Sequence, residues 1–160
     1  MSFVLEAVIA GDELLRAAVR EVPGGRVARL AQGFLLLPLT DEIVDVVTAG
    51  SPERVLGFWR LSGDVENVLA RWSVAGPVAY VEAEYFGGVG EQRAAVWAAG
   101  ALELGPLCVQ EKEHFSSEGS PASQALRRLG ARSGPGEDEF TAVGLGRHRS
   151  TDDWGSPGSG

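Results

Sequence analysis

The sequence predicts a single α+β domain, an antiparallel sheet packed with several helices. Residues 78–98 alternate in side-chain character about a glycine cluster, and residues 62–72 carry apolar side chains at helical spacing. A chain of 160 residues with 44% hydrophobic content is long enough for one well-buried core and too short for two. The domain is expected over residues 1–154, with a disordered Gly/Ser/Pro tail at 155–160.

Residues 3–10 read as a strand. Gly11-Asp12 then offers a cap for a helix bearing Leu14, Leu15, Ala18, Val19 and Val22, ended by Pro23-Gly24-Gly25. Residues 26–30 and 34–37 form short strands divided by Gln32-Gly33, so the chain opens β-α-β-β. Thr40 caps a second helix, whose Ile43, Val44, Val46 and Val47 cover a wide arc and predict deep burial. Ser51-Pro52-Glu53 places serine at a cap and proline at the first helical position, predicting a helix into Val55, Leu56, Phe58 and Trp59. A further helix starts at Ser62 or Asp64, with Val65, Val68, Leu69 and Trp72 on one side. Trp59 and Trp72 are both expected in the core.

The hairpin is the most informative stretch. Along residues 78–86, Ala79, Val81, Ala83 and Tyr85 face one way, and Tyr80, Glu82, Glu84 and Phe86 the other. Gly87-Gly88-Val89-Gly90 reads as a four-residue turn in which at least one glycine has a positive φ. That loop sets Glu84 opposite Arg93 and Tyr80 opposite Trp97. One face becomes Ala79, Val81, Ala83, Ala94, Val96 and Ala98, suited to a closely packed helix. The other carries a Glu84–Arg93 ion pair, a Tyr80–Trp97 stack and an unpartnered Glu82. Tyr80, Glu82, Glu84, Arg93 and Trp97 are therefore the candidate binding surface; the competing reading is an ordinary solvated face with one ion pair. A turn at Ala99-Gly100 and a third strand carry the meander to about Val109. After a polar loop over 110–119, Ser120-Pro121 opens a helix that turns Ala125, Leu126 and Leu129 inward and stops at Gly130.

Composition restricts the function classes. Net charge is −8, with 10 acidic against 7 basic residues up to position 80 and 12 against 7 after it. A surface acidic throughout repels phosphate, which argues against nucleic acid and for a basic protein partner. The single Cys108 excludes an intrachain disulfide or a multi-cysteine zinc site; it is expected to be a small core residue in a reducing compartment. No apolar run approaches the ~20 residues that span a bilayer, and the N-terminus lacks the basic start of a signal peptide. A cytoplasmic location without membrane contact is the expectation.

No nucleophile elbow or strand-to-helix phosphate loop occurs, and Gly88-Val89-Gly90 joins two strands. His114 and His148 are 34 residues apart with no helical pairing, so neither a metal nor another cofactor is called for. Glu82 and Glu84 lie two apart on one strand face, roughly 7 Å between Cα atoms, a spacing open to acid–base pairing. An alternative site is Gly144-Leu-Gly-Arg-His-Arg149, where Arg147 and Arg149 suit a carboxylate or phosphate and His148 a proton carrier. The competing reading there is a C-terminal segment tied to Asp152 and Asp153.

Thirteen of the 14 basic residues are arginine, and Ala, Gly and Val abound, as in proteins of GC-rich bacteria. The segments 80–92 and 138–149, with Tyr80-Val-Glu-Ala-Glu-Tyr-Phe-Gly-Gly, Asp138-Glu-Phe and Gly144-Leu-Gly-Arg-His-Arg, resemble a pattern in small uncharacterised bacterial proteins. The resemblance covers about a sixth of the chain, implies a bacterial origin and carries no catalytic residue with it. Small acidic single-domain proteins of this kind are often immunity partners or other inhibitors, an analogy of size and charge. The first expectation is a non-enzymatic interaction module of the immunity type, covering a basic partner such as a toxin domain. The alternative is a small hydrolase or transferase-like enzyme that uses Glu82 and Glu84, or Arg147, His148 and Arg149, on a small charged substrate.

Overall fold

The computed structural model describes residues 2–48, 52–86, 89–110 and 117–154. Its strands are β1 (Ser2–Gly11), β2 (Ala28–Arg29), β3 (Phe34–Pro38), β4 (Val78–Phe86), β5 (Val89–Ala98) and β6 (Ala101–Val109), all antiparallel, in the spatial order β2-β3-β1-β4-β5-β6. Helices α1 (Asp12–Ala18), α2 (Asp41–Val47) and α3 (Gly63–Trp72) cover one face; α4 (Pro121–Arg128), α5 (Glu139–Val143) and α6 (Thr151–Trp154) cover the other. The result is the α+β domain that the sequence predicts.

Because the sheet is clad on both sides, its central strands have two buried faces. Val8, Ala10, Val78, Tyr80, Ala95 and Trp97 point into the α1–α3 layer beside Leu15, Val65 and Leu69. Leu5, Ala7, Ile9, Ala79, Val81, Ala94 and Val96 point into the α4–α6 layer beside Ala122, Ala125 and Leu126. The small side chains of β4 and β5 let α4 approach closely, as their alternation implies.

Local capping signals hold. Thr40, Ser62, Ser120 and Asp138 each accept a hydrogen bond from the backbone N–H three residues on, at 3.4, 3.2, 3.1 and 2.9 Å. Gly130 (φ 104°) and Gly144 (φ 90°) end their helices in the left-handed region. Ala99 (φ 53°) and Gly100 (φ 85°) form the β5–β6 turn.

Four expectations are corrected. Residues 52–62 form a loop instead of a helix, turned by Leu56 (φ 58°) and Gly57 (φ 78°) and closed by an Arg54–Ser62 bridge. Val46 is 51% exposed, since α2 meets α3 and the sheet along one side only, with Ile43 and Val44. Cys108 is exposed, lying on the edge strand β6. Finally, the β4–β5 register is two residues tighter than a four-residue loop gives. Phe86 pairs with Val89, Glu84 with Glu91, Glu82 with Arg93 and Val78 with Trp97. Since the slip is an even number, every side chain keeps its face. Gly90 lies inside β5 with no positive φ; a Cβ there would collide with the Glu84 carbonyl and come within 2.7 Å of Tyr85 Cα, so its role is close backbone approach. Gly87 and Gly88, the other two glycines of which at least one is expected to have a positive φ, lie outside the described residues, as do residues 111–116 of the polar loop and the 155–160 tail.

Candidate functional site

On the α1–α3 side, the helices cover the end of the sheet that holds Tyr80 and Trp97. The 52–62 loop covers the middle, and the far end of β1, β4 and β5 remains partly open. The loop is fixed from inside: Phe58 is 3% exposed and packs edge-on against Tyr80, ring centroids 5.0 Å apart, while Leu61 is fully buried. Arg54 donates to Trp59 O and Pro52 O, both at 2.9 Å, knitting the loop to itself.

Glu82 is the hub. Its Oε1 accepts from Trp59 N (2.7 Å), and its Oε2 accepts from Arg60 N (2.8 Å) and from the Tyr80 hydroxyl (2.6 Å). Three donors satisfy a carboxylate that is 0% exposed. Burial pushes its pKa up, against the lowering pull of Tyr80 and the two backbone N–H groups. Burial, with the neighbouring Glu82 carboxylate, also holds the Tyr80 phenol well above its usual value, so it stays a donor. This demand for donors explains the missing helix: in a helix, the N–H groups of residues 59 and 60 would be bonded to the preceding turn.

The expected recognition face is therefore corrected. Tyr80, Glu82 and Trp97 are 0, 0 and 1% exposed, and Tyr80 stands opposite Ala95, so it stacks on Phe58 and not on Trp97. Glu82 is triply bonded, not unpartnered. Glu84 does not meet Arg93 across the strands; Arg93 stands opposite Glu82, with its Nη1 3.0 Å from Glu91 Oε2 and its guanidinium carbon 4.2 Å from the Trp59 ring centroid. Sealed and saturated, Glu82 does not form an accessible acid–base pair with Glu84.

What remains accessible lies one step outward. An open cleft of roughly 510 Å³ is lined by Glu6, Trp59, Arg60, Glu84, Phe86, Val89, Gly90 and Glu91. Glu84 and Glu91 face each other directly across β4 and β5, a like-charge pair that destabilises a sheet. Glu91 has Arg93 beside it; among the described residues Glu84 makes no hydrogen bond or ion pair. Phe86, Val89 and Trp59 are 57, 44 and 37% exposed, so apolar and acidic surface alternate around the opening. Trp59 is thus a rim residue and not the core residue its sequence position suggests. Arg60, also in the lining, bonds to Asp41, and its Nε lies 3.6 Å from Glu6 Oε1. Its guanidinium holds the Asp41 carboxyl below the usual range.

The Gly144–Arg149 segment has a structural task. β3 ends opposite Ala7, and the vacated edge of β1 is completed by Val4 N donating to Arg149 O (2.8 Å) and Glu6 N to Thr151 Oγ1 (3.0 Å). Arg147 donates to Arg29 O (2.6 Å) and lies over the Trp154 ring. His148 packs edge-on against Trp154 at 4.6 Å, its Nε2 buried without a hydrogen-bond partner among the described residues. Arg147, His148 and Arg149 follow the sheet edge, and none of them lines the cleft that holds Glu84 and Glu91.

Among the described residues, no group of three His, Cys, Asp or Glu could hold a metal ion, and no helix is long and apolar enough to cross a membrane. His114 lies outside them. Comparison of the chain with family models, curated proteins and solved structures gives no match.

Proposed function

We propose that the protein is a non-enzymatic interaction module, of the immunity or inhibitor type, that binds a basic protein partner through the open acidic end of its sheet. The observation that carries the reading is the Glu84–Glu91 pair. Two carboxylates held opposite one another, one without a partner among the described residues, sit between exposed Phe86, Val89 and Trp59. Such an arrangement costs the isolated fold, and a bound cation offsets that cost. Net charge −8 adds long-range attraction for a basic surface. The enzyme reading finds less support, because Glu82 is closed off and His148 turns a buried nitrogen away from solvent.

The test is capture from a bacterial lysate with two baits, the parent and the double variant Glu84→Lys/Glu91→Lys. A basic protein held by the parent, released by salt and absent from the variant supports the reading. Equal capture by both baits, or turnover of a substrate by the purified chain, removes it.

A further inference from the structure

We infer that the cleft recognises the guanidinium of an arginine side chain presented by the partner protein, in preference to the ammonium of lysine. This inference rests on the basic-partner reading and adds the identity of the group that enters.

The chain already builds such a recognition unit once, with a side chain of its own. Arg93 lies 4.2 Å over the Trp59 ring and 3.0 Å from the Glu91 carboxylate, a flat cation stacked on an aromatic and paired with an acid. Next to it the same ingredients recur without a cation. Glu84 is exposed and pairs with no described residue, Phe86 is two residues on along the same face, and Val89 stands opposite Phe86. The chain's own cations in and beside the cleft have other acidic neighbours: Arg60 bonds to Asp41 and lies near Glu6, and Arg93, just outside the lining, lies beside Glu91 and over Trp59. Glu84 is the carboxylate left over.

The surroundings decide between the two kinds of cation. A guanidinium is planar and weakly hydrated; it can lie on Phe86 or on the exposed part of Trp59 while its edge donates two hydrogen bonds to Glu84. An ammonium is a compact, strongly hydrated charge, which would lose water against the same apolar surface and gain no stacking. A purely electrostatic patch would treat the two alike. This cleft, of roughly 510 Å³ and bordered by three exposed apolar side chains, does not.

The experiment titrates the protein at low ionic strength with two capped peptides, Gly-Arg-Gly-Arg-Gly and Gly-Lys-Gly-Lys-Gly. Calorimetry gives the affinities, and the Trp59 indole N–H resonance reports on the cleft. The arginine peptide is expected to bind about fivefold or more tightly and to shift the Trp59 signal. Glu84→Gln should weaken it about tenfold, and Phe86→Ala should bring the two peptides to within about twofold of each other. Both side chains are exposed, so both variants are expected to fold, which a thermal melt checks. Equal affinities for the two peptides in the parent, both lost in Glu84→Gln, overturn the arginine preference and leave the basic-partner reading standing. If neither peptide shifts the Trp59 signal, or if Glu84→Gln binds as the parent does, the cleft is not the site and both readings fall.

Discussion

Replacing Glu82 with glutamine keeps its shape and removes one acceptor position. The carboxylate takes Trp59 N on one oxygen and Arg60 N with the Tyr80 hydroxyl on the other. An amide offers a single oxygen, so its NH2 must face at least one backbone N–H, and that donor is left buried without an acceptor. Each such loss costs about 1–3 kcal/mol, partly offset because the variant no longer buries a charge. A net destabilisation of about 0.5–2 kcal/mol at neutral pH follows, which shifts the urea midpoint by about 0.25–1 M for a denaturant slope near 2 kcal/mol per M. The pH dependence has a definite sign. Because the folded pKa of Glu82 is raised above 4.5, the folded state holds this proton more tightly than the unfolded chain does. Its contribution to stability is therefore full below 4.5 and falls as pH rises through the raised value. Glutamine has no such slope, so the gap between parent and variant should be widest in acid and narrow towards neutrality. Urea titrations of both proteins from acid to neutral pH measure this directly. Curves within about 0.5 kcal/mol of each other at every pH would refute the view of Glu82 as the clamp that holds the loop.

Other outcomes follow from the same geometry. Gly90→Ala should cost more than about 2 kcal/mol in a thermal melt, because a Cβ there meets the Glu84 backbone; an unchanged melting temperature would contradict the register. Tyr80→Phe should lose about 1.5–3 kcal/mol by removing a donor to a buried carboxylate, and a neutral result would mean that the hydroxyl is dispensable. Cys108 should react with a thiol reagent in the folded protein as fast as in urea, and protection in the native state would put it back in the core. Glu84→Lys should leave the fold as stable or raise stability by about 0.2–1 kcal/mol, since it sets opposite charges across β4 and β5; destabilisation on chemical denaturation would contradict the Glu84–Glu91 pairing.

Much of the fold was legible because it rests on local chemistry. Thr40, Ser62 and Ser120 cap their helices as their positions indicate, and the alternation in β4 and β5 fixed the faces even with the turn misjudged by two residues. Gly87-Gly88 alone is a sufficient hairpin signal, and reading Val89-Gly90 as loop assigned Gly90 to conformation when it serves close packing. The site was harder to read because burial along a strand depends on what lies over it. Tyr80 and Trp97 resemble recognition residues in sequence, yet two aromatics on one face of neighbouring strands also signal a covered face, and helices pack on both sides of this sheet. Once that end is covered, Glu82 needs donors, and residues 59 and 60 leave helical geometry to supply them. No local pattern in Ser51-Pro52-Glu53 announces this, because the cause lies more than twenty residues away in sequence.

The proposed function places recognition at the open end of the sheet and not at its buried middle or its C-terminal edge. Amide hydrogen exchange of the protein with and without the captured basic partner locates the contact surface. New protection is expected over residues 58–60, 84–86 and 89–91, with residues 144–151 unchanged, and loss of that protection in Glu84→Lys. Protection confined to 144–154 or to the α4 surface, with residues 84–91 exchanging as in the free protein, would contradict it.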